Sequence, residues 1–349
     1  MLGAGLLAAG GVAVAVLVGS SGASRSAGVA SGSAAAVVAG AGSAGSANAG
    51  SGSDAAPADR SPLGRLRAAI AGADPGAQGD AVTALELVGG AASAPLLYDA
   101  LAGSPDVRVR AARALQRLAP DDAAPKLRAA LDNSGAKVKA ELAACLLHLG
   151  DKQGAPILVR GLDDPSLRLL AARALAGTGD AAMIKLARPA LQTALADAPE
   201  GRDAWRQAAM ALADLGDKDA RALIARELTQ PEGERATAMA LALASTGDAN
   251  ARAHLSTLVA DPTAVRRAAA ALELARLGDP AALPWVKDGL RSVDADERRH
   301  AIAVAARLAA VGGAAHRATI EGLLSADADR GVQLTAAAAL LAMPQGTTP

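Results

Sequence analysis

The chain has 349 residues, 35 basic and 35 acidic, so its formal net charge is zero. Nucleic-acid binding rests on clustered excess positive charge, and no block of like charge occurs, which excludes a phosphate-backbone partner. Phe is absent and aromatics make up 1% of the chain; Ala and Leu must therefore do the packing, and as the strongest helix formers they predict an all-α protein.

The chain opens with an uncharged stretch, Leu2 to Val18. This is the length of a signal-peptide core or a short membrane span, although about 20 apolar residues are wanted for a span and no Lys or Arg precedes it. Residues 1–20 are expected to form a signal peptide or membrane anchor. That places the rest in the periplasm, outside the cell or on a membrane, with a cytoplasmic location as the alternative. Residues 21–60 are almost wholly Gly, Ala and Ser, which cannot build a core and predict a disordered linker.

From Ser61 the chain repeats itself at intervals of roughly thirty residues, the mark of stacked helical hairpins. Each unit opens with a short apolar segment, as in "APLLYDAL", "APKLRAAL", "APILVRGL" and "LPWVKDGL", with Pro95, Pro125, Pro156 and Pro284 in register. Proline is tolerated in a first helical turn, where its missing N–H has no intrahelical partner. A polar turn and a second helix follow, as in "DVRVRAARALQRLAP" and "PSLRLLAARALAGTGD". Asp106, Asp164 and Asp261 are expected as N-caps. Arg110 and Arg168 stand four residues beyond the first two and predict surface ion pairs. Most units close on Gly-Asp: Gly tolerates the left-handed turn that ends one hairpin, and Asp caps the first helix of the next.

The "VRVRAARAL" and "LRLLAARAL" segments with their terminal LGD resemble the HEAT-repeat family, in particular the short bacterial repeats of the phycobilisome-lyase-subunit type. The resemblance spans Ser61 to Pro344. It implies a right-handed α-solenoid, an armadillo/HEAT-like superhelix of about nine hairpins over residues 61–345, used mainly for protein binding; some relatives serve bilin attachment.

No catalytic constellation is legible. The four histidines fall in different units without an i,i+4 pair, and the D-x-D turns at Asp294 and Asp327 lack the glycine and closing Glu of a calcium loop. Cys145 stands where other repeats carry Ala, as a small buried apolar residue. Neither metal nor cofactor is expected. The reading is therefore a non-enzymatic scaffold for a protein or peptide partner. A chromophore lyase subunit and a purely structural spacer are the alternatives. Candidate contacts are the basic residues at the second-helix starts, Arg108, Lys139, Arg168, Arg266 and Arg298, which would form a row along one face, together with the aromatics Tyr98 and Trp285.

Overall fold

The computed structural model describes residues 59–228, 234–244, 248–260 and 266–344. The expected anchor, nearly all of the expected linker and Asp261 lie outside the described residues. Among the described residues no helix is long and apolar enough to cross a membrane.

The hairpins are α1 (Pro62–Ala71) with α2 (Pro75–Val88), α3 (Ala94–Ala100) with α4 (Pro105–Leu118), and α5 (Ala123–Leu131) with α6 (Ala136–His148). Then come α7 (Ala155–Gly161) with α8 (Arg168–Ala176), α9 (Ala181–Asp197) with α10 (Asp203–Asp214), and α11 (Lys218–Leu228) with α12 (Glu234–Leu243). The last three are α13 (Ala249–Ala260) with α14 (Arg267–Arg276), α15 (Leu283–Gly289) with α16 (Ala295–Arg307), and α17 (Arg317–Ala326) with α18 (Arg330–Ala342). The described residues thus form an all-helical solenoid of nine hairpins.

The punctuation works as its chemistry predicts. Gly150, Gly179, Gly216 and Gly278 have φ of 82°, 72°, 86° and 72°, the left-handed region where glycine carries no Cβ penalty. The carboxylates that follow, Asp151, Asp180 and Asp279, accept from the amides of Gln153, Ala182 and Ala281 at 2.9, 2.9 and 3.0 Å, satisfying donors that a helix start leaves open.

Two local expectations are corrected. Asp106 lies inside the first turn of α4, whose N-cap is Ser104; Asp164 accepts from Ser166 in the turn before α8. Neither makes the expected ion pair. Arg110 donates to Thr83 Oγ1 of the preceding hairpin and Arg168 to the Leu162 carbonyl. A second helix packed between two hairpins finds its nearest acceptors on the neighbouring chain segments rather than along its own surface.

The core is a continuous Leu/Ala layer between first and second helices, with Leu97, Leu127, Leu158, Leu191 and Leu255 fully buried from the first helices α3, α5, α7, α9 and α13. Burying each contributes about 1.5–3 kcal/mol relative to exposure. Second helices pack in sequence from α2 through α18, and then α18 packs on α2 and α1. The array closes on itself. Open solenoids need polar end hairpins, but α2 buries Ala81, Val82, Leu85 and Val88, and α18 buries Val332, Leu334 and Leu340. Each terminal hairpin covers the other's apolar face. Polar contacts follow the same seam: Arg330 meets Asp74 and Asp80 at 2.6 and 2.9 Å, and Arg65 donates to Leu324 O at 3.0 Å.

Candidate functional site

The basic residues at the second-helix starts are structural staples. Arg108 Nε donates to Leu101 O at 2.8 Å, where α3 ends, and Nη1 to Asn133 O and Ser134 Oγ, both at 2.9 Å, in the next hairpin's turn. Arg298 repeats the design far along the chain. Its Nη1 donates to Ser292 O and Val293 O at 2.9 and 3.0 Å, and its Nε and Nη2 grip Asp327 of the next hairpin, both at 2.8 Å. The hydrogen bond to Asp327 raises the Arg298 pKa; burial works to raise that of Asp327, yet Arg298 and the Asp329 amide hold it below the usual carboxylate range. These guanidiniums satisfy carbonyls that the end of a first helix cannot pair internally. Of the expected row, Arg108 and Arg298 spend Nε, Nη1 and Nη2 inside the protein, whereas Arg168 spends Nε alone, on Leu162 O.

Arg266 does not hold the repeat position at all. It sits before α14 at φ 74°, while Arg267 reaches back to Val259 O at 2.8 Å. Lys139 is half-buried and, among the described residues, makes no side-chain hydrogen bond or ion pair. Trp285 is 2% exposed and packs in the core, which corrects its reading as an interface anchor: Gly289, one turn on, would bring a Cβ within 2.8 Å of its ring. Tyr98 is half-buried, donates its hydroxyl to Asp122 and carries Lys126 Nζ 5.9 Å above its ring. Burial and Asp122 push the phenol pKa up. Asp294 and Asp327 act in helix starts and turns, as their amide hydrogen bonds show. Among the described residues no group of three His, Cys, Asp or Glu could hold a metal ion. Cys145 is buried, its thiol pushed up to about 12 by that burial.

Sequence reasoning missed a cavity of about 270 Å³ framed by the C-terminal ends of α2, α4, α14 and α16. Three guanidiniums and two carboxylates line it: Arg117, Arg276, Arg307, Glu86 and Glu273. Arg117 pairs with Glu86 across two helices at 2.5 Å, and Arg276 with Glu273 within α14 at 2.8 Å. Arg307 reaches over the seam, its Nε and Nη2 donating to Leu87 O and Glu86 O at 2.6 and 3.1 Å. A Cβ at Gly89 would meet Arg307 Nη2 at 3.0 Å, so glycine there admits the guanidinium. Burial, then the like charge of Arg276, bring the Arg307 pKa down to about 10. The remaining wall is apolar, from Leu85, Leu118 and Leu277. One sequence signal marks the set: the dipeptide Arg-Leu ends α4, α14 and α16 or directly follows them, at Arg117, Arg276 and Arg307. Nothing in the sequence says that these three ends meet.

Residues 95–176 match the HEAT repeats family. No curated protein matches the sequence. Among solved structures, human deoxyhypusine hydroxylase is similar at 20% identity and a TM-score of 0.37, over 72% of this chain and 96% of that one. The complex of CpcE and CpcF of phycocyanin lyase from Nostoc sp. PCC7120 is similar at 20% identity and a TM-score of 0.32, with the same coverage. An engineered protein is similar at 21% identity and a TM-score of 0.30, over 80% of this chain and 88% of that one. The expectation of a non-enzymatic chain is corrected by this comparison. Two of these similar structures, the hydroxylase and the phycocyanin lyase, are enzymes by name.

Proposed function

From a chain whose residues 95–176 are HEAT repeats and whose other hairpins share their build, we propose that the protein is a binding platform for a protein partner. The face offered is that of the first helices. One observation carries this reading: Tyr98, Arg128 and Val159 occupy the same register, three residues beyond Pro95, Pro125 and Pro156, on consecutive first helices. Val159 is 38% exposed, and Leu186 on the next first helix is 50% exposed. An aromatic residue, a cation paired to Asp151 and uncovered aliphatics on consecutive first helices are the composition of a protein contact rather than of a solvated face. With Arg108 and Arg298 spent internally, this stripe is the better surface.

The test is a photo-reactive phenylalanine analogue in place of Tyr98, with the same probe at Val293, a fully exposed turn residue, as control. One discrete adduct from Tyr98 and none from Val293 supports the platform. Equal labelling at both sites, or no adduct at Tyr98, ends it. In the same reading residues 2–18 direct the platform out of the cytoplasm or onto a membrane. A reporter active only outside the cytoplasm, fused after residue 60, checks that separately.

A further inference from the structure

We propose that the cavity at the ring seam binds a small monocarboxylate with an apolar body, held by Arg117, Arg276 and Arg307. The donor inventory comes first. A guanidinium carries five N–H donors, yet Arg117 and Arg276 each use one nitrogen on a glutamate, and Arg307 leaves Nη1 unused among the described residues. Three arginines with unspent N–H donors therefore line one half-open pocket.

The charge inventory selects the ligand. Three guanidiniums against Glu86 and Glu273 leave one positive charge, the complement of a single carboxylate; a phosphate dianion would bring a second negative charge beside two glutamates. Several carbonyls at the helix ends framing the cavity already have partners. Leu85 O accepts from Gly89 N at 2.9 Å, Leu115 O from Ala119 N at 2.8 Å and Leu274 O from Asp279 N at 2.9 Å, while Arg307 covers Glu86 O and Leu87 O. Leu85, Leu118 and Leu277 set the rest of the specificity, since apolar walls with a few placed polar groups favour an acid with a hydrocarbon body over a polar polyacid. Pairing of arginine with carboxylate is bidentate when both edges are open. Burial lowers the Arg307 pKa first, and the like charges of Arg276 and Arg117 add to it; an anion would relieve the second effect.

The carboxylate could be a free acid or the end of a polypeptide, and the probes separate the two: benzoate for the free acid, N-acetyl-leucine for a chain terminus. Benzamide is the neutral isostere of benzoate, and inorganic phosphate the competing anion. The full chain is titrated at constant ionic strength, following thermal stability and the arginine side-chain N–H signals by NMR. Because a ligand that binds only the folded state stabilises it by mass action, benzoate or N-acetyl-leucine should raise the Tm saturably and shift the Arg117, Arg276 and Arg307 signals, while benzamide does neither. The tighter of the two acids identifies the source. Arg276→Gln removes an arginine whose ion pair, to Glu273, lies within its own helix, so the contacts of Arg307 across the seam remain, and carboxylate affinity should fall at least tenfold. Equal shifts with benzamide, unchanged affinity in Arg276→Gln, or tighter binding of phosphate than of either acid would overturn the proposal.

Discussion

A cross-link between Gly90 and Ala342 tests whether the ring closes. A Cβ built on Gly90 lies 3.6 Å from the Ala342 Cβ, inside the range of about 3.5–4.5 Å that a disulfide needs. The double substitution Gly90→Cys, Ala342→Cys should therefore oxidise within one molecule, even in dilute protein. Closing a loop of roughly 250 residues removes unfolded-state entropy equivalent to about 5 kcal/mol. Against that, Gly90 has φ 94° and ψ 151°, a region that only glycine occupies comfortably, and cysteine there costs about 1–3 kcal/mol. The strain is present with or without the bond, so urea denaturation of the oxidised and reduced forms of the same variant isolates the closure term. Cys145 does not compete, being buried with its thiol held protonated. The expected result is a faster-migrating monomer on a non-reducing gel, and several kcal/mol of extra stability in the oxidised form. Failure to cross-link, or cross-linking only between molecules, would show that the terminal hairpins do not meet.

Arg298→Ala should destabilise by about 3 kcal/mol in urea, because it strands the Asp327 carboxylate, 5% exposed, and two carbonyls. Lys139→Ala, at the matching place in α6, should stay within about 0.5 kcal/mol; equal effects would refute the staple assignment. Leu175, fully buried in α8, should cost about 2–5 kcal/mol as Ala and more as Asp, with limited proteolysis concentrating between residues 150 and 217; a harmless Leu175→Asp would put the repeat register in error. Burial holds the pKa of His300 below 6.5, with Asp296, Arg276 and Arg299 as its charged neighbours, and does the same for His148. The unfolded chain then takes up protons first as pH falls, so this stability is complete above about pH 6.5 and lost as pH falls through the lower folded values. Denaturation midpoints in an Asp214→Asn background, which removes a buried carboxyl of opposite sign, should decline below that pH and decline less in His300→Gln. A rise on acidification would contradict the assignment.

Most of the local architecture could be read from residues whose meaning is carried by a few neighbours. Gly150 with Asp151 and Gly278 with Asp279 stop one hairpin and start the next through backbone sterics and a single carboxylate, and both effects act within about one helical turn. The Leu and Ala stripes likewise needed only helical periodicity. The arginines after each turn were harder. Their spacing showed a row, but not that Arg108 and Arg298 turn inward to helix-end carbonyls, nor that Arg267 rather than Arg266 holds the place. A long side chain can face solvent or its own backbone at the same residue spacing.

What the amino-acid order determined by itself is therefore the hairpin, its caps and its apolar stripe, since each depends on contacts only a few residues apart. Tertiary structure alone decided that the array closes, because curvature is the sum of small rotations at every packed interface and no single repeat records the total. That sum brings Arg307 to the carbonyls of Glu86 and Leu87, 221 and 220 positions away, and sets it in one cavity with Arg117 and Arg276. Those three guanidiniums are ordinary helix-end residues in a linear chain; the closed ring makes them neighbours.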